Sequence, residues 1–179
     1  FRPQWKGQRI TGRVSGGALR PYPTRARIAA GALAGRGLEL VWVDNSIDAF
    51  FLHVQGSGRV VLRDGSVLRV GYAARNGHPY TAIGRSLIRR GEIAREEVSM
   101  QTIRRWLAAH PGQALSLMNE NASFIFFRRL QGDGPVGAQG VVLTAERSLA
   151  VDRRFVPLGV PVWLDTTDPL RAARPLRRI

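Results

Sequence analysis

Short apolar segments separated by turn residues occupy residues 38–72 of the chain. They are rich in β-branched and aromatic residues, which is typical of strands in a small antiparallel sheet. Asp64-Gly65 lies between two of these segments and supplies the positive φ angles that a tight hairpin requires. The pattern therefore predicts strands at 38–43, 49–55, 58–62 and 67–72, with a hairpin turn at 63–66.

Apolar residues at helical spacing follow capping residues in several other segments. Thr24 can accept a first-turn hydrogen bond, and Ser99 is placed to do the same before a second apolar pattern. Helices are predicted from residue 24 to Gly35 or Gly37 and at 80–90, 99–109 and 113–121. Further strands are predicted at 123–129, 141–143, 159–164 and from residue 176 onward, with short strands or loop in the first twenty residues.

Composition places the chain among globular proteins. Its 179 residues are 44% hydrophobic and 22% charged, and no run approaches the roughly 18 apolar residues of a membrane span. The fold class predicted is mainly β with several helices (α+β), in two parts that meet near residues 77–80. The absence of cysteine excludes disulfides and thiol catalysis. Because the chain begins without methionine or a signal peptide and ends in a strand-like pattern, we expect a fragment at both ends.

Arginine dominates the charge of the chain. The formal net charge is +14, and Lys6 is the sole lysine among 27 basic residues. The arginine doublets are spread over separate apolar segments, a distribution that favours solvated surface over a nucleic-acid-binding stripe. We therefore expect no nucleic-acid partner.

Four segments are dense in glycine, amide and aromatic residues: 53–58, 72–80, 119–124 and 147–152. Amides, hydroxyls and aromatic faces are suited to holding sugar rings, although glycine, serine and asparagine are also ordinary turn residues. The 25 residues between His53 and His78 match no metal-site spacing, so we interpret both as structural and predict no metal. The candidate substrate-binding residues are Gln55, Ser57, Tyr72, Asn76, Tyr80, Asn119, Asn121 and Ser123.

Among the carboxylates of the chain, Asp152 is the strongest candidate for a functional acid, because it directly follows the apolar run Leu149-Ala150-Val151. Cleavage of a glycosidic bond needs a carboxylic acid that is held protonated. We expect Asp152 to be partly buried, in a raised-pKa or hydrogen-bonded state. The alternative interpretation is an aspartate that caps a turn.

Five segments taken in order, 37–43, 49–58, 71–80, 99–101 and 148–152, resemble the membrane-bound lytic murein transglycosylase A (MltA) family. The most specific parts are the run Phe-Phe-Leu-His-Val-Gln-Gly-Ser-Gly and the run Asn-Gly-His-Pro-Tyr. The resemblance implies a double-psi β-barrel interrupted by a smaller antiparallel β domain, with the glycan in the groove between them. The smaller domain is expected at 1–85, and a partial barrel with the start of the three-aspartate (3D) domain at 86–179.

The resemblance also implies an activity. The family cleaves the β-1,4 bond between N-acetylmuramic acid and N-acetylglucosamine in peptidoglycan without water, and the muramyl C6 hydroxyl forms a 1,6-anhydro end. A single aspartate is thought to act as acid and then as base, so no metal or organic cofactor is implied. The partners expected are glycan strands, for a monomer whose parent is lipid-anchored at the periplasmic face of the outer membrane.

Asp152 matches the first of the three family aspartates and is expected to act as a supporting carboxylate. The resemblance places the catalytic acid beyond Ile179, so we expect the chain to be inactive alone. The alternative is a glycan-binding module without catalysis.

Overall fold

Residues 12–132, 134–168 and 171–179 are described by a computed structural model, and they fall into two compact units. The N-terminal unit ends at Leu130, and the C-terminal unit runs from Gln131 to Ile179. The first eleven residues, for which the sequence predicts short strands or loop, lie outside the described residues. The described chain combines helices with antiparallel sheets and is therefore of the α+β class.

The N-terminal unit contains a three-stranded antiparallel sheet, in which the strand at 67–75 lies between the strands at 57–61 and 125–129. Gly65 has a φ of 82°, and Asp64 Oδ1 accepts a hydrogen bond of 2.9 Å from Ser66 N. These features close the turn that pairs Val61 with Val67, so the hairpin prediction is confirmed. The strands are β1 (Arg13–Ser15) and β2 (Ala18–Arg20), which pair separately, and β3 (Ser57–Val61), β4 (Val67–Arg75) and β5 (Ile125–Arg129).

Helices cover the remaining core of this unit. Ser99 accepts a hydrogen bond from Thr102 N, as its predicted capping role requires, and Gly91 follows the end of the helix predicted at 80–90 with a φ of 72°. No helix within the described ranges is long and apolar enough to span a bilayer. The helices are α1 (Arg25–Ala29), α2 (Ser46–Gln55), α3 (Ile83–Arg89), α4 (Met100–Ala109) and α5 (Pro111–Asn119).

The strand predicted at 49–55 is wrong, because these residues belong to helix α2. The Asn45 side chain accepts hydrogen bonds from Ile47 N and Asp48 N, and Gly56 ends the helix with a φ of 76°. A cap at each end thus outweighs the β propensity of the apolar residues between them. The predicted strand at 38–43 is also absent, and Trp42 in that segment is 84% exposed.

The core of the N-terminal unit joins α2 to the three helices that follow the sheet hairpin. Leu87, Leu107 and Leu117, from α3, α4 and α5, are fully buried in one cluster with Phe50 and Phe51 of α2. These four helices therefore belong to one compact unit, which ends at Leu130.

The C-terminal unit contains a hairpin of β6 (Leu164–Asp168) and β7 (Arg171–Arg178). The strand predicted at 159–164 begins only at its last residue, since Gly159 has a φ of 88° and Pro161 cannot donate a ladder hydrogen bond. The strand predicted at 141–143 is reduced to a single bridge between Val136 and Val142.

Candidate functional site

A pocket of about 330 Å³ opens in the N-terminal unit where three of the four chemically dense segments meet. Segments 53–58, 72–80 and 119–124 all contribute to it, from α2, from β4 with the loop after it, and from the turn between α5 and β5. Helix α1 closes one side. The lining residues are Arg25, His53, Val54, Tyr72, Arg75, Tyr80, Asn121, Ser123 and Ile125.

Asn76 does not line this pocket but joins the segments that form it. It is 2% exposed, and its Nδ2 donates to Pro23 O at 2.9 Å and to Ala122 O at 2.8 Å. Its Oδ1 accepts from Phe124 N at 2.9 Å. Both amide hydrogens are thus committed inside the protein, and the structure gives Asn76 a scaffolding position rather than a place in the lining.

Asn121 has a related position in the pocket wall. It is 2% exposed, and its Oδ1 accepts hydrogen bonds from Thr81 N at 3.1 Å and Ser123 N at 3.2 Å. This one side chain therefore holds together the loop after β4 and the turn before β5. Tyr72, Tyr80, Asn121 and Ser123, which are four of the predicted substrate-binding residues, line this one pocket.

Arg25 is the most unusual group in the pocket lining. The residue is 7% exposed, and Nη2 donates to Ser123 O at 2.9 Å. Its Cζ lies 5.0 Å from the centroid of the Phe50 ring and 5.3 Å from that of Phe124. Burial lowers the pKa of Arg25 to about 10, partly offset by Tyr80, so the guanidinium remains charged at neutral pH.

Arg25 is also the residue whose burial leaves a polar atom without a partner. Its Nε is a buried side-chain nitrogen with no hydrogen-bond acceptor among the described residues. Sequence reasoning missed Arg25 as a site residue. A signal existed, because Arg25 lies three residues before Ile28, on the face that the predicted helix turns inward.

His53 is a neutral donor in the same pocket. Its Nδ1 accepts a hydrogen bond of 3.2 Å from Ile125 N, so the neutral ring carries its proton on Nε2. Burial, reinforced by the charge of Arg25, lowers the pKa of His53 to about 3. The ring packs against Phe124 and Phe127, with centroid distances of 4.3 Å and 5.1 Å. These contacts are those of a residue with a structural role. His53 also lines the pocket, so part of its side chain is accessible from there.

Two tyrosines and a second arginine form the exposed rim of the pocket. Tyr72 is 51% exposed and Tyr80 is 56% exposed, while Arg75 at the end of β4 is also exposed. Aromatic faces at a wet rim are suited to stacking against the apolar face of a ring, and their hydroxyls to hydrogen bonding. The lining as a whole contains two cations and no carboxylate among the described residues.

The other predicted contacts lie outside the pocket lining. Gln55 ends α2 and is exposed, with Nε2 at 3.7 Å from Met100 Sδ. Ser57 is exposed at the first position of β3, and Asn119 is half-buried at the last position of α5.

Asp152 belongs to the C-terminal unit and is exposed, so the expectation of partial burial is wrong. Arg154 Nε donates hydrogen bonds to both carboxylate oxygens, at 3.1 Å to Oδ1 and 3.0 Å to Oδ2. The backbone N–H of Arg154 also donates to Oδ1, at 2.9 Å. The side-chain hydrogen bond from Arg154 is the main cause that lowers the pKa of Asp152. The carboxylate is hydrogen-bonded as expected, but in its ionised state, because a neighbouring cation rather than an apolar wall surrounds it.

The C-terminal unit has a larger cavity of about 1000 Å³. Its lining is mainly apolar, and several of the lining side chains are largely exposed, including Val141, Val142 and Leu149. The smaller pocket is the better candidate site, because its wall contains buried polar groups whose orientation is fixed by hydrogen bonds within the protein.

Comparison with known proteins supports the resemblance seen in the sequence. The family model described as the MltA specific insert domain matches residues 1–128. The chain belongs to the MltA family. The match ends within three residues of Leu130, where the compact N-terminal unit ends.

Relatives and solved structures of MltA proteins agree with this assignment. The chain is 41% identical over 142 residues to the membrane-bound lytic murein transglycosylase A of Vibrio cholerae. The matched region covers 78% of this chain and 39% of that protein. The crystal structure of MltA from Neisseria gonorrhoeae superposes with a TM-score of 0.79 at 39% identity, over 93% of this chain and 40% of the other. This chain thus spans about two fifths of the length of these relatives.

A second similar structure contains an oligosaccharide. The crystal structure of E. coli MltA with bound chitohexaose matches with a TM-score of 0.68 at 34% identity, over 82% of this chain and 47% of the other.

Proposed function

We propose that this MltA-family chain is the glycan-holding part of a peptidoglycan lytic transglycosylase. The parent enzyme in this proposal cleaves the β-1,4 bond between N-acetylmuramic acid and N-acetylglucosamine and leaves a 1,6-anhydromuramyl end during cell-wall turnover. The observation that carries the proposal is the meeting of three chemically dense segments, two of which resemble the family, at one pocket with tyrosines at its rim. The chitohexaose in the E. coli MltA structure supports it.

Each candidate residue has a role in this proposal that follows from its position. Tyr72 and Tyr80 stack against sugar rings at the exposed rim, and Asn121 with Ser123 provides polar wall. Asn76 supports the wall through its hydrogen bonds to Pro23 and Ala122. Contacts outside the pocket, further along an extended glycan, are assigned to Gln55, Ser57 and Asn119.

Proton transfer is assigned to a different part of the parent protein. No aspartate or glutamate of the described residues lines the pocket, whereas cleavage of a glycosidic bond needs a carboxylic acid. The proposal makes the C-terminal unit the beginning of a double-psi β-barrel with its three-aspartate segment. Asp152 is then a supporting carboxylate, held in place by Arg154. The hairpin of β6 and β7 and the open apolar cavity of this unit support that assignment.

The proposed place of action is the periplasmic face of the bacterial outer membrane, where a lipid anchor holds a monomeric parent protein. Support comes from the relatives, which are called membrane-bound. Peptidoglycan glycan strands are the proposed partner. The negative charge of the carboxylates in peptidoglycan is complementary to a chain of net charge +14.

Incubation of the full 179-residue chain with purified peptidoglycan sacculi tests the proposal. We expect the chain to sediment with the sacculi and to show saturable binding of chitohexaose in solution. Mass spectrometry of the supernatant should detect no 1,6-anhydromuropeptides. Absence of binding to both sacculi and chitohexaose would overturn the proposed function, and release of anhydro ends would overturn the assignment of proton transfer elsewhere.

A glycan-binding module without catalysis is the second candidate, favoured by the carboxylate-free lining of the pocket. The two candidates differ in what an extended chain does. When the chain is lengthened through its downstream reading frame, the enzyme proposal expects 1,6-anhydro ends. The binding-module proposal expects retained sacculus binding with no such products.

A further inference from the structure

The charge of Arg25 has no counter-ion among the described residues. The carboxylates that form ion pairs in the N-terminal unit are engaged elsewhere, Glu120 with Arg90 and Asp48 with Arg104. Arg25 has instead one carbonyl acceptor, two aromatic rings and an unpartnered Nε. Burial of a cation in this state costs free energy, because neutral partners offset only part of the cost of its desolvation.

The neighbours of Arg25 in the pocket supply hydrogen-bond donors and a second cation, and none of the lining residues is a carboxylate. His53 carries its proton on Nε2, because Nδ1 is occupied by Ile125 N. Its low pKa keeps the ring neutral at physiological pH, so it adds a donor without adding a charge. Tyr80 supplies a hydroxyl at the rim, and Arg75 supplies a second, exposed cation.

A site rich in donors, with a buried guanidinium in its wall, is complementary to an anion. Arginine matches a planar carboxylate especially well, because its fork of N–H groups can donate to both oxygens. A cavity of about 330 Å³ is large enough for a substituent of a sugar and too small for a folded partner.

We propose that this pocket binds a carboxylate carried by the glycan, and that Arg25 is the residue that selects it. The inference rests on the proposed function and extends it, since it names the anionic group that the pocket distinguishes from a neutral sugar. Peptidoglycan offers such a group in two places, the lactyl ether of muramic acid where no peptide is attached and the stem peptide where one is.

Titrations of the full chain with matched ligands test the proposal. The ligands are N-acetylmuramic acid, its methyl ester, N-acetylglucosamine and muramyl dipeptide, whose carboxylate lies on the peptide. We expect the acid to bind about tenfold or more tightly than its ester, as charge-assisted hydrogen bonds require. Tighter binding of muramyl dipeptide than of N-acetylmuramic acid would assign the carboxylate to the stem peptide, and the reverse order to the lactyl group. Either order supports the proposal.

Three variants show which arginine supplies the charge that selects the acid. Arg25→Gln should abolish the preference for acid over ester, while Arg27→Gln, an exposed arginine on the same helix, should leave it unchanged. Equal binding of acid and ester by the wild-type chain overturns the proposal. Loss of the preference in Arg75→Gln but not in Arg25→Gln also overturns it, because the exposed arginine would then supply the charge.

A measurement on the wild-type chain keeps the test valid if Arg25→Gln does not fold. The ¹H–¹⁵N signal of Arg25 Nε should shift on addition of the acid and not of the ester, and an unchanged signal overturns the assignment to Arg25. Binding of chitohexaose, a neutral oligosaccharide, separates the two proposals. A chain that binds chitohexaose without distinguishing acid from ester retains the proposed function and loses only this inference.

Discussion

The backbone N–H of Ile125 donates a hydrogen bond of 3.2 Å to Nδ1 of His53, which joins strand β5 to helix α2 across 72 residues. This bond needs a neutral imidazole, because a protonated ring has no acceptor nitrogen. The wall of the candidate pocket therefore depends on the protonation state of one histidine. The consequence is a pH dependence that can be measured.

Stability should fall in acid because of His53. Burial lowers its pKa to about 3, whereas the unfolded state titrates near 6.5. Between these values the unfolded state binds more protons, so the free energy of unfolding decreases as pH falls from about 6.5 toward about 3. The slope from this group approaches about 1.4 kcal/mol per pH unit. Urea denaturation at a series of pH values measures it.

The variant His53→Gln is the control for this effect. Glutamine can accept the hydrogen bond from Ile125 N and does not titrate. We expect the variant to be less stable at neutral pH and to lose part of the acid slope between pH 6.5 and 3. An unchanged slope would show that other groups cause the acid sensitivity.

Asn76→Ala should destabilise the protein strongly. Its amide bonds Pro23 O, Ala122 O and Phe124 N, and it is 2% exposed. Its removal leaves buried backbone groups without partners, at a cost of about 2–4 kcal/mol in the free energy of unfolding. Chemical denaturation measures the loss. Asn45→Ala is the matched control, because Asn45 is an exposed N-cap whose loss costs about 1 kcal/mol. Equal losses in the two variants would contradict the scaffolding role of Asn76.

Gly56→Ala and Gly112→Ala should have opposite effects. Gly56 ends α2 with a φ of 76°, so alanine there is strained and should destabilise by about 1 kcal/mol although the space is open. Gly112 lies within α5, where a Cβ meets nothing within 4 Å. Alanine at that position should stabilise by about 0.5 kcal/mol through helix propensity. Thermal unfolding of both variants gives the comparison, and effects of the same sign would contradict it.

The carboxyl of Asp152 should titrate below the ordinary range of an aspartate. The hydrogen bond from the Arg154 side chain is the largest cause that lowers its pKa. Titration followed by ¹³C NMR should show this value rising in Arg154→Gln. Arg153→Gln removes the same charge from the adjacent residue and should change the pKa of Asp152 less. Equal changes in the two variants would mean that net charge, rather than the hydrogen bond, controls the carboxyl.

The predictions that the structure confirms rest on local signals. The Asp64-Gly65 turn, the Ser99 cap and the glycine stop at Gly91 are each decided by residues within one or two turns of one another. Family membership could also be read from the sequence, because the two most specific runs, at 50–58 and 76–80, are each contiguous. The meeting of Tyr72, Tyr80 and Asn121 at one pocket is instead a result of folding, because Asn121 lies more than 40 residues from the two tyrosines along the chain.

The sequence by itself therefore determined the family, the hairpin and the helices with clear caps. The tertiary structure decided which charges are buried and which are solvated. Asp152 follows an apolar run and is nevertheless exposed beside Arg154, whereas Arg25 lies in a charged, arginine-rich segment and is buried against Ser123, 98 residues away. Local pattern could not distinguish these cases, because the desolvation of a charged group depends on the distant residues that cover it.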